Sequence, residues 1–185
     1  MKNRVVFIYG MPSSGKMTMA YLLGRAAGYQ ILDNHYFYDF VRPFVTADLK
    51  SAEYRRDVHK LRLVLCDMIS KFYPRDKEVR LVFTGLLVRN SPSIAPFKKL
   101  AAHIGAEFIP IKLVARPDVL MRRCASASRK TRGKVSDADK MRKFIKENEL
   151  RNIRHKNLLK LDVSDISEKE TLCRIQEHIS KICGE

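Results

Sequence analysis

Two glycines and a lysine stand at GxxxxGK spacing near the start of the chain, in Gly10-Met11-Pro12-Ser13-Ser14-Gly15-Lys16. That spacing suits backbone that curls around phosphate oxygens. Gly10 and Gly15 free the turn, N–H groups at the start of the following helix point inward, and Lys16 reaches the β and γ phosphates of a nucleotide. The nucleotide-contacting set is therefore Gly10, Pro12, Ser13, Ser14, Gly15, Lys16, Met17 and Thr18. One position departs from the pattern. Met17 occupies the slot where Ser or Thr usually offers Mg²⁺ a hydroxyl, and a thioether does not ligate a hard cation. Thr18 or Ser14 takes over that task, or water fills the position.

These residues need a frame. Arg4 to Tyr9 (RVVFIY) is a β-branched and aromatic run ending at Gly10, and MTMAYLLGRAA after Lys16 has helical spacing. Further strand-like runs fall at Tyr29 to Asp33, Arg80 to Thr84, Phe108 to Val114 and Leu158 to Asp162, with amphipathic stretches between them. Five strands alternating with helices imply parallel pairing, and runs such as LVF and IKLV suit strands buried on both faces. The expected fold is α/β, a three-layer α/β/α sandwich on a five-stranded parallel sheet, one domain over residues 1–185. In such sheets ligands sit beyond the carboxyl ends of the strands. The closing helix, Lys169 to Ile182, reads as packing alone.

From Gly10 to Thr18 the sequence resembles the small bacterial P-loop kinases related to shikimate kinase, including a branch labelled as AAA-family ATPases whose loop is GPPxxGKxT-like. The resemblance covers most of the chain and implies ATP as phosphoryl donor with Mg²⁺, so that the displaced hydroxyl at Thr18 is a habit of that branch. In shikimate-kinase-like enzymes the second strand ends in an acid that binds Mg²⁺ through water or takes the acceptor's proton. Asp33 matches it, which makes Asp33 and Thr18 the metal candidates, although Asp33 also suits a helix N-cap before YFYDF. The branch carries an Asn-His pair, matched by Asn34 and His35, and leaves Asp33 and His35 both open as the base. Arg62 matches a helix arginine suited to gripping an anionic acceptor. Thr84 closes the third strand where a metal-binding carboxylate is usual, and is read as contacting water or the acceptor. The stretch of about 122–140 is similar to the kinase lid, whose arginines neutralise charge during transfer. There Arg123 and Arg129 are the candidates, with Arg132 and Lys134 behind them. The glycine triplet of shikimate kinase is replaced by Gly85-Leu86-Leu87.

Composition bounds the rest. Lys and Arg number 36 against 20 Asp and Glu, a net charge of +16. Fourteen of the basic residues and only four acids lie between positions 122 and 160. The excess serves nucleotide phosphates, nucleic acid or an acidic surface equally. A nucleic-acid-binding module or a nucleotide-dependent regulator without phosphotransfer is thus the alternative to a kinase acting on a small-molecule hydroxyl. Against the first stands the lack of any RNP-like or zinc pattern. Cys66, Cys124, Cys173 and Cys183 are scattered without metal-ligand spacing and read as reduced thiols of a cytoplasmic protein. Apolar runs are too short to span a membrane, and no leader is expected.

Overall fold

A computed structural model describes residues 2–46, 51–89, 91–125 and 137–184. β1, Arg4–Gly10, is buried at all seven positions. Successive side chains of a strand point to opposite faces, and β1 obeys this. Val6 and Ile8 enter one core with Met19, Ala20, Leu23 and Ile175. Val5, Phe7 and Tyr9 enter a second with Cys66, Phe97, Leu100 and Phe108. A strand feeding two cores lies in the middle of three layers.

The chain continues through α1 (Lys16–Ala27), β2 (Gln30–Leu32), α2 (Asn34–Val41), a 3-10 turn at Arg42–Phe44, and α3 (Ala52–Phe72). Then come β3 (Arg80–Gly85), α4 (Ala95–His103), β4 (Glu107–Val114), α5 (Pro117–Cys124), α6 (Ala138–Glu147), β5 (Leu159–Asp162) and α7 (Glu168–Cys183). The strand order is β2-β3-β1-β4-β5, and every pairing within the sheet is parallel. The expected five-stranded sandwich is therefore what the chain forms.

From β1 the chain winds to one side for β2 and β3, then crosses to the other for β4 and β5. The resulting parting of the loops at the carboxyl end of β1 is where such sheets hold ligands. Helix ends are set by local chemistry. Gly28 closes α1 at φ 67°. The Ser51 hydroxyl accepts from Tyr54 N at 3.1 Å to start α3, and Ser167 does the same for Glu170 N in α7. α5 and α6 join through buried Leu120, Cys124 and Met141, against which Met11 of the glycine loop packs. Residues 126–136 between these helices, with Arg129, Arg132 and Lys134 of the expected lid, lie outside the described residues. Among the described residues no helix is long and apolar enough to cross a membrane.

Candidate functional site

The loop after β1 is bent by backbone values few residues tolerate. Ser13 has φ 68° and Gly15 φ 88°, both in the left-handed region where a Cβ is costly. At Gly10 the constraint is space. A Cβ there would stand 2.5 Å from the Leu113 carbonyl oxygen and 2.5 Å from Ser14 Oγ. α1 starts at Lys16 with no acid in its first turn and no side-chain cap. Its first N–H groups therefore remain available to an anion, in the positive end of the helix dipole. Lys16 Nζ folds back to donate to Gly10 O at 2.9 Å and Met11 O at 2.7 Å. Ser13 Oγ and Ser14 Oγ are buried without a hydrogen-bond partner among the described residues. Buried hydroxyls are normally paired, so this loop keeps polar capacity in reserve.

Facing the loop is the carboxyl end of β2. Asp33 stands at the N-cap position of α2, yet its side chain makes no capping bond. Its carboxylate instead accepts the hydroxyl proton of Thr84, which arrives from the end of β3. Both residues are buried, at 4% and 5% exposure. His35, the second residue of α2, brings Nδ1 to 3.4 Å from Asp33 Oδ2 and keeps a half-exposed side chain. The register explains the meeting: Leu32 pairs with Phe83, so the residues just beyond each strand end are neighbours. The end of β3 thus lies beside the acid that follows β2. Loop and wall share one cleft of about 790 Å³, lined by Pro12 to Thr18, Asp33, Asn34, His35, Tyr38, Thr84 and Arg123 among others.

No family model matches this sequence, and neither does any curated protein. Solved structures do match in shape. A Chloroflexus aurantiacus protein, provisionally named as a kinase, superposes with TM-score 0.68 at 16% identity, over 96% of this chain and 99% of its own. A sugar kinase from Janibacter sp. gives 0.64 at 15%, over 96% and 95%. The shikimate kinase of Bacteroides thetaiotaomicron gives 0.59 at 13%, over 98% and 99%.

The chain has the P-loop kinase fold.

Within that fold the positions expected from sequence separate into three groups. Pro12, Ser13, Ser14, Gly15, Lys16, Met17, Thr18, Asp33, Asn34, His35, Thr84 and Arg123 come together around the cleft. Gly10 and Arg62 do not line it. Gly10 forms the buried floor at the end of β1, and Arg62 lies in α3, with its guanidinium 5.5 Å from the Phe37 ring centre and 5.7 Å from that of Tyr38. Arg62 is 8% exposed, and its Nε and Nη2 have no hydrogen-bond partner among the described residues. Burial lowers its pKa. Burial, followed by the Arg62 charge, also holds His59 below the usual imidazole value, which suits the 3.5 Å contact of Arg62 Nη1 with His59 Nδ1. Arg129 is in neither group, since it lies outside the described residues.

Arg123 lines the cleft and also donates from Nη2 to Val163 O at 2.8 Å, tying the end of α5 to the loop after β5. That loop is braced by its own side chains. Asp162 Oδ1 accepts from Ser164 N and Oγ, and Asp165 pairs with Arg116. Sequence reasoning missed the contribution of α7. Glu168 and Thr171 border the cleft, although the helix reads as ordinary packing because its apolar spacing masks what its first turn faces. Arg25, Tyr21 and Tyr38 were missed too. They sit one or more helical turns away from the motifs, and only the fold brings them round.

Proposed function

We propose that this chain is an ATP-dependent kinase that transfers the γ-phosphoryl group to a hydroxyl of a small acceptor. The observation carrying this reading is that the phosphate loop with Lys16 and the buried Asp33–Thr84 pair with His35 open onto one cleft. A donor and an acceptor thus meet in one space. Support also comes from neighbours of this fold whose names are sugar kinase and shikimate kinase.

In the proposed reaction the triphosphate lies on Gly10 to Thr18, and the Lys16 ammonium exchanges its two loop carbonyls for β and γ oxygens. Thr84 holds the Asp33 carboxylate, Asp33 orients His35 through Nδ1, and the other ring nitrogen takes the acceptor's hydroxyl proton. The acceptor oxygen forms the new bond to the γ phosphorus as the bond to the bridging oxygen breaks, releasing ADP. Asn34 borders the acceptor, and Arg62 braces that side from behind Tyr38. Arg123 and Arg129 offset the charge that spreads over the phosphoryl group, a contribution on the order of 10³- to 10⁵-fold for one well-placed arginine. The donor set fits a hard cation, because Thr18 and Asp33 both line the cleft and both carry side-chain oxygen. When bound there, Mg²⁺ supplies neutralisation of the β and γ oxygens.

The test is a panel of sugars, shikimate-like acids, nucleosides and hydroxyl-bearing antibiotics incubated with γ-labelled ATP and Mg²⁺. Label should pass to one class with wild type and be lost with Lys16→Ala. Equal, background labelling by both proteins would defeat the reading.

A further inference from the structure

Helix α3 has an apolar row besides its core face. Tyr54, Val58, Arg62 and Cys66 are its buried residues, whereas Leu61, Val64, Met68 and Phe72 are 36%, 56%, 52% and 79% exposed. Their spacing of three, four and four residues follows the helical repeat, so they form one stripe. Beside it an apolar groove of about 410 Å³ runs along Leu65, Met68, Ile69 and Phe72 of α3 and Ile31 and Leu32 of the edge strand β2. Single exposed apolar residues need no explanation, but a contiguous row of this length marks an interaction site. None of these stripe residues lines the nucleotide cleft.

The charges beside the stripe identify the partner. At 100° per residue, Lys60, Asp67 and Lys71 fall along one margin of it, and Asp57 falls within its span one turn before Leu61. In a chain of net charge +16 this set of four charges is balanced, two acids and two bases, and so offers little to a polyanion. It is also self-complementary. Within one copy the charges form exposed pairs, Lys60 with Asp57 and Lys71 with Asp67, of the kind that contributes at most about 1 kcal/mol and exchanges partners easily.

We infer that this face binds a second copy of the chain, α3 lying antiparallel to α3 about a twofold axis through Val64. A twofold interface uses the same patch twice. Residues equally far before and after the axis then oppose one another, which sets Asp57 against the partner's Lys71 and Lys60 beside the partner's Asp67. Leu61, Val64 and Met68 interleave along the seam, with the helices about 8–10 Å apart. The overlap covers about 25 Å of helix at 1.5 Å per residue. A contact of that length is smaller than the standard interface of about 800 Å² per partner, so association belongs in the micromolar range.

Sedimentation velocity of the full chain across about 5–200 μM, near 0.15 M salt, tests this range. Wild type should pass from monomer to dimer across it. Met68→Glu should weaken association about tenfold or more, the cost of placing a charge in an apolar seam, with an unchanged far-UV circular dichroism spectrum showing that the chain still folds. Lys60→Asp and Asp67→Lys should each weaken the dimer, and the two combined should restore it. A wild type that stays monomeric to the top of the range overturns the inference. So does a dimer indifferent to Met68→Glu, or a double variant no tighter than the single ones.

Discussion

Thr84→Val tests the wall of the cleft most directly. The replacement keeps the shape of the side chain and exchanges the hydroxyl for a methyl at a site 5% exposed. What disappears is the bond from Thr84 Oγ1 to the Asp33 carboxylate. Hydrogen bonds to charged groups contribute about 1.5–3 kcal/mol. Asp33 is 4% exposed, so water replaces the hydroxyl poorly, and a loss of about 2–3 kcal/mol is expected. Urea unfolding of wild type, Thr84→Val, Asp33→Asn and the double variant isolates the pair. The coupling energy should reach about 1.5 kcal/mol or more, because the two residues share one bond. Thr84→Ser, which keeps the hydroxyl, should lie within about 1 kcal/mol of wild type. Under the proposed function, Thr84→Val should also slow turnover more than it weakens ATP binding, since Lys16 and its loop are untouched. A coupling energy below about 0.5 kcal/mol, the usual scatter for independent sites, would refute the reasoning.

Gly10→Ala should cost about 1–3 kcal/mol of stability and weaken ATP binding about tenfold or more, measured by urea unfolding and by calorimetric titration. The reason is that the new Cβ meets the Leu113 carbonyl oxygen and Ser14 Oγ at 2.5 Å. At the opposite end of the sheet, Glu78 lies 3.1 Å from Arg4 Nη2 and accepts from Arg80 Nη2 at 2.7 Å. The Arg80 hydrogen bond, ahead of the Arg4 charge, holds its carboxyl below the usual value. A depressed folded-state value means stability present above about pH 4.3 and lost as pH falls through the folded value. Thermal melts should therefore show Glu78→Gln weaker than wild type by about 2–4 kcal/mol at pH 7, with the gap narrowing below about pH 4. Burial pushes the Cys66 thiol up to about 11, and Cys66, Cys124 and Cys183 are all buried. A disulfide reagent at pH 8 should titrate one thiol in the native protein, Cys173, and four after denaturation. Cys173 Sγ donates to Glu177 Oε1 at 3.2 Å, which raises its pKa, so Glu177→Gln should speed its reaction.

The fold was legible because it is written in local patterns. RVVFIYG is apolar at every position but its first and last, and it becomes a strand buried on both faces. The other four strand runs reappear within a residue or two, as expected of boundaries. The phosphate loop was equally plain, since its requirements of two glycines and a lysine at fixed spacing concern one continuous segment. Contacts across the sheet were another matter. Asp33 and Thr84 are 51 positions apart, and each alone admits a bland role, a helix cap for one and a local backbone bond for the other. Neither role is the one realised. Arg62 shows how little a sequence says about direction. Its family match suggests a group that reaches an acceptor directly, but Phe37 and Tyr38 stand at its guanidinium and it is absent from the cleft lining. Direction on a helix face is fixed by what packs against the helix, and that partner lies outside any sequence window. The exposed stripe of α3 was hidden for the same reason: Leu61, Val64, Met68 and Phe72 look like core until the core is found on another face.

Two departures from the usual phosphate-site pattern, Met17 in place of a hydroxyl and no carboxylate at the end of β3, look like separate losses when read along the chain. In the folded protein they belong together. Met17 is partly buried against the core that includes Met19 and Leu23, and it borders the cleft together with Thr18 and Asp33. Thr18 stands one residue beyond Met17 along α1, a rotation of about 100° around the helix, and Asp33 follows β2, the strand paired with β3. Thr84, at the end of β3, keeps that corner polar by donating to the Asp33 carboxylate. A site that had drifted without use would be expected to leave such a carboxylate unpaired, at a cost of several kcal/mol for a buried charge, or to lose it. Here the acid is buried, hydrogen-bonded and beside a half-exposed imidazole, and under the proposed function that pairing holds Asp33 and His35 in place for the acceptor.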